Sequence, residues 1–185
     1  MRSIAAALLL LSVAMTAGAA ALFLGLYDVA ATEPHSAAVR WLLSTAMEQA
    51  VERRADGIVV PNGLSDPRRI HSGFVGYDDM CVGCHGAPGI ERGVVGAGLN
   101  PRPPELHTSE QSWEAAELYW IIDHGIKMTG MPAFGPTHDD EQLWDLVAFV
   151  TALPHLSAED YADLRRQRTG SRTSDGKAGG GHEHR

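Results

Sequence analysis

Cys81-Val82-Gly83-Cys84-His85 holds both cysteines of this 185-residue chain. C-x-x-C-H is the spacing of c-type haem attachment. It puts two thiols on one turn of chain, within reach of the two vinyl groups of one porphyrin. The adjacent His85 then faces the iron from the same side. Other uses of paired cysteines fit less well. A C-x-x-C redox pair belongs in a βαβ setting, and none surrounds this stretch. A zinc site needs four ligands, and one cluster is present. A Cys81–Cys84 disulfide would close a very small loop, and two cysteines are too few for a disulfide scaffold.

An iron held by His85 needs a second axial ligand downstream, and Met is the usual partner of His in electron-carrying sites. Lys127-Met128-Thr129-Gly130-Met131-Pro132 offers two candidates. Met131 is followed by Pro132-Ala133-Phe134-Gly135-Pro136, a stiff loop suited to holding a ligand without a helix. Met128 lies close behind Gly125 and reads as packing, so Met131 is favoured. His124 and His107 are the rivals. For His124 a surface position at a helix end is the plain alternative.

The flanking sequence reads as helices. Ile70 to Met80 carries Phe74 and Tyr77 with Gly73 and Gly76, which suits a close helix crossing. Ser112 to His124 sets Leu118, Ile121 and Ile122 on one side, with Gly125 to close the helix. Asp139 to Leu153 has Leu143, Trp144, Val147 and Val150 at helical intervals, an acidic first turn and a stop at Pro154. The expected domain, residues 57–164, is several helices around a porphyrin that forms part of the core.

Ile4 to Tyr27 carries no formal charge. As a helix it would span roughly 36 Å, enough to cross a bilayer. Arg2 before it and Asp28 and Glu33 after it place the N-terminus in the cytoplasm and export the rest. Residues 1–28 therefore read as a transmembrane signal anchor. The alternative is a signal peptide cleaved near Val29-Ala30-Ala31, although the apolar run is longer than the usual h-region. Residues 29–56 read as a linker helix, with Pro34 in its first turn and Val39, Leu42, Leu43, Ala46, Met47, Ala50 and Val51 at helical spacing. Residues 165–185 read as a disordered tail rich in Gly, Ser and charge. In it, His182-Glu183-His184 is at best a weak metal site.

The net charge of −8 argues against a nucleic-acid partner, since it implies no basic surface. It is unevenly spread: residues 57–164 hold 16 acidic and 5 basic residues. Such a domain steers toward a basic docking surface, or is simply soluble.

Cys81-Val82-Gly83-Cys84-His85, Pro103-Pro104-Glu105-Leu106, Gly130-Met131-Pro132-Ala133-Phe134 and a Trp-containing last helix together resemble the bacterial class I c-type cytochromes. The variety is the membrane-anchored monohaem type, similar to haem domains of terminal oxidases and periplasmic dehydrogenases. The resemblance implies an all-α fold around one covalent haem c, attached through Cys81 and Cys84, with His85 and Met131 as axial ligands. It implies that the Pro104 carbonyl accepts the ring N–H of His85, and that Gly73 and Tyr77 meet the last helix around Trp144. Arg102 or Trp120 would reach a propionate. The implied activity is one-electron transfer with no catalysis of its own. The implied location is the inner membrane with the haem domain in the periplasm. The partners would be a dehydrogenase, a bc-type complex or a terminal oxidase. Two other readings stand beside it: a haem-based sensor or small-ligand binder with weak Met ligation, and an electron-transfer subunit of a larger dehydrogenase or oxidase.

Overall fold

The computed structural model describes residues 2–108 and 113–178. Those residues are helical, without a strand beyond an isolated bridge between Ala87 and Ile90. The chain divides into two units, residues 1–34 and 35–185.

The first unit is α1, Arg2–Phe23. Its apolar stretch Ser3–Phe23 has a mean hydropathy of 2.1. At 1.5 Å per residue its 21 residues reach about 32 Å, still a membrane thickness. The helix stops short of the expected Tyr27 because Gly25 turns the chain with φ 67°.

The second unit holds α2 (Ala37–Ala55), α3 (Pro67–Met80), α4 (Val82–His85), α5 (Val94–Ala97), α6 (Ala115–His124), α7 (Asp140–Ala152) and α8 (Ala158–Ala178). Each start has a local cause. Pro34 lies outside α2: Ser36 is the N-cap, its hydroxyl accepts the Val39 N–H at 3.4 Å, and the helix begins at Ala37. Asp66 caps α3 by accepting the Arg68 N–H at 2.8 Å, and Pro67 fills the first position. Glu114 and Glu117 form a capping box that starts α6 at Ala115, later than expected; Ser112 lies outside the described residues. Asp139 and Gln142 form the same box on α7.

The core is the crossing of α3 and α7. A Cβ on Gly73 would overlap the Asp145 carbonyl oxygen and stand 2.8 Å from Phe149 Cβ, so only glycine lets the helices approach this closely. Phe74, Tyr77, Phe149 and Tyr161 are fully buried there, with ring centroids 5.2–6.3 Å apart for the pairs Phe149 makes. Gly73 and Tyr77 thus meet α7 around Trp144, as expected, and Trp144 itself stacks on Tyr119 of α6 at 4.4 Å, which ties α6 to α7.

α2 packs on α6 with Val51 and Ala55 buried, so it belongs to the same unit as the helices that follow. The boundary expected at residue 165 falls inside α8. Tyr161 is buried, and Arg165 and Arg168 pair with Asp78 at 3.2 and 3.0 Å; residues 165–178 are helical. These three residues recur at helical spacing, which the Gly- and Ser-rich composition obscures. His182-Glu183-His184 lies outside the described residues.

Candidate functional site

α3 ends at Met80, and the chain turns once more through α4, so both cysteines and the histidine sit on consecutive turns of backbone. The Cys81 N–H donates to the Tyr77 carbonyl at 2.9 Å, and the His85 N–H to the Cys81 carbonyl at 2.9 Å. Gly86 then leaves the helix at φ 68°, a conformation suited to glycine. The buried Tyr77 hydroxyl donates to the Gly86 carbonyl at 2.7 Å and holds that exit in place. Burial pushes the Tyr77 phenol far up, with the neighbouring Cys81 and Tyr161 acting the same way. α5 backs the turn: the Gly93 N–H donates to the Gly83 carbonyl at 2.8 Å.

Cys81, Cys84, His85, Pro104, Leu118, Ile122 and Met131 all line one apolar cavity of about 290 Å³. The two thiols are not joined to each other. Burial pushes the Cys81 thiol up to about 12, so it stays neutral. His85 is buried, and burial moves its ring below the ordinary histidine value, with the nearby Arg92 charge acting the same way. Its Nδ1 lies 2.8 Å from the Pro104 carbonyl oxygen. That oxygen only accepts, so Nδ1 carries the proton and Nε2 keeps its lone pair.

Met131 comes from the loop between α6 and α7. The loop is pinned by its own turns: the Thr129 hydroxyl donates to the Ile126 carbonyl at 2.7 Å and accepts the Met131 N–H at 3.1 Å. The Phe134 N–H donates to the Ile122 carbonyl at 3.0 Å and ties the loop to α6. Met128 is 80% exposed and takes φ 63°, outside the cavity. His124 stacks on Trp120 at 4.6 Å and pairs with Asp123 at 3.1 Å; neither His124 nor Trp120 lines the cavity. His107 does not line it either, and its Nδ1 is buried without a partner. Arg102 lines the cavity. Among the described residues, no three His, Cys, Asp or Glu side chains converge as a metal cluster would need.

Sequence reading missed two contributors. Met47 of α2 reaches the cavity wall. Arg92, with its side chain 8% exposed, donates to the Pro103 carbonyl and to Glu105 Oε1, both at 2.6 Å. Met47 has helical spacing but nothing in it names a pocket. Arg92 is one cation in a loop, and its partners are 11 and 13 residues away.

The donor set fits a haem. It offers two thiols on one turn for attachment, an imidazole with a fixed tautomer, a thioether from a second loop, and an apolar wall between them.

Residues 68–150 match the family described as cytochrome C oxidase, cbb3-type, subunit III. The match runs from α3 through most of α7 and leaves out α1, α2 and α8. No curated protein matches the chain. The matched segment implies haem c as the bound group. Residues 68–150 are thus a class I c-type cytochrome domain related to the haem domains of terminal oxidases.

Proposed function

We propose that the protein is a membrane-tethered, periplasm-facing one-electron carrier with a single haem c. The reading is carried by the convergence of Cys81, Cys84, His85 and Met131 on one apolar cavity. Cys81 and Cys84 would form the thioether links, and His85 and Met131 would hold the iron from its two sides. When bound, the haem supplies a reversible one-electron couple. The chain supplies the rest. The Pro104 carbonyl orients the His85 ring and strengthens its Nε2 as a donor. The pinned 126–135 loop holds the Met131 sulfur, which favours a high potential. The apolar wall excludes water, so little solvent rearranges when the charge changes. With His85 and Met131 both engaged as ligands, the chain would act as a carrier and would itself make no bonds. Tethering by α1 would confine the search for partners to the membrane surface.

The test is spectroscopic. Oxidised wild-type protein is expected to show the weak long-wavelength band of thioether-ligated ferric haem, and the reduced protein to resist carbon monoxide. Met131→Ala is expected to abolish the band, lower the midpoint potential and admit carbon monoxide. An unchanged spectrum and potential in Met131→Ala would overturn the ligand assignment, and ready carbon monoxide binding by wild type would favour a sensor.

A second reading has its own support, the oxidase-subunit description of the matched family. On it, the chain is the electron-transfer subunit of an oxidase or related complex. Mild detergent extraction then isolates it together with a catalytic subunit, whereas a free carrier migrates alone.

A further inference from the structure

Pro101, Pro103 and Pro104 leave the segment before Glu105 short of backbone donors, so it cannot tie itself down through its own N–H groups. Yet the Pro104 carbonyl must stay within 2.8 Å of His85 Nδ1. The buried Arg92 guanidinium supplies what the segment lacks. Nη1 donates to the carbonyl of Pro103, and Nη2 donates to the carboxylate of Glu105, one residue to either side of Pro104. We propose that Arg92 is a positioning residue for His85: its two-pronged grip on Pro103 and Glu105 sets the Pro104 carbonyl that orients the ring.

The inference rests on His85 being an axial ligand. Its chemistry follows from the fork. A planar guanidinium presents donors in a fixed geometry, and a lysine ammonium is a single point that cannot reproduce both bonds. A firm Nδ1–H to carbonyl bond raises electron density on the imidazole and favours ferric iron. Loosening it therefore raises the midpoint potential. Loss of a cation alone would act the other way, since positive charge near the iron favours the ferrous state. Arg92 is paired with Glu105, so the two effects separate cleanly.

The experiment uses the full-length haem protein in three forms: wild type, Arg92→Lys, and the double variant Arg92→Gln/Glu105→Gln. Lysine keeps the charge and loses the fork. The double variant loses the fork with no change in net charge. Both are expected to raise the midpoint potential and to speed solvent exchange of the His85 Nδ1 proton about tenfold, as local opening becomes easier. That proton is read by its hyperfine-shifted resonance in the oxidised protein. A potential and an exchange rate unchanged in both variants would overturn the proposal, even if both melt earlier, because a mere loop brace moves only stability. Absence of any hyperfine-shifted histidine resonance in wild type overturns the ligand assignment itself, and the proposal with it.

Discussion

At the scale of single residues, the site depends on acceptors and donors that carry no obvious chemistry. The Pro104 carbonyl decides which nitrogen of His85 is free, and Arg92 decides where that carbonyl lies. Glu105 adds a pH dependence. Its hydrogen bond from Arg92 holds its carboxyl below the ordinary value of 4.5. The unfolded chain therefore takes up this proton first as pH falls. The stability Glu105 contributes is complete above its ordinary value and is lost as pH drops through the lowered folded one. Glu105→Gln should flatten this limb, giving a smaller loss of stability than wild type between about pH 5 and pH 3 in denaturant titrations. A parallel loss in both proteins would show that Glu105 contributes nothing. The meeting of Cys81, Cys84 and His85 at one cavity was legible because the three stand within five consecutive residues. Arg92 was not, because its partners are brought to it only by the folded loop.

At the scale of elements, α8 is a clasp on the end of α3 that leads into the cysteine turn. Asp78 lies three residues before Cys81, and it receives Arg165, Arg168 and the Tyr161 hydroxyl, the last at 3.1 Å. Arg168 also grips Asp79 and donates to the Val75 carbonyl at 3.4 Å. Arg168 and Asp78 side chains are both 9% exposed, so the pair is largely out of water. Arg168→Ala strands part of a buried carboxylate and should destabilise the protein by about 2 kcal/mol. Replacing both members, Asp78→Asn with Arg168→Met, should cost less than Arg168→Ala alone. Urea titrations of the two variants check this order, and the reverse order would sink it. The main helices were readable from apolar spacing, with ends displaced by caps at Ser36, Asp66 and Glu114. α8 was hidden because its anchoring residues are one tyrosine and two arginines rather than an apolar stripe.

At the scale of the whole molecule, α1 carries an uncharged stretch long enough to span a bilayer, while residues 57–164 hold a large excess of acid. A retained anchor predicts that the mature protein stays in the membrane fraction after an alkaline wash. Its intact mass then includes the N-terminal segment plus one haem. Release into the wash, with a mass beginning near residue 31 or 32, would show cleavage. The sequence displayed this segment by composition alone. It did not display that the following helix is part of the haem-bearing unit. The position of α2 has a mechanical corollary. The chain leaves the first unit at Pro34, is capped at Ser36, and within three turns delivers Met47 to the cavity wall. Were α1 retained as an anchor, tension on it would enter the second unit through a strut that touches the cavity's own lining, so leash and insulation would be one piece of chain.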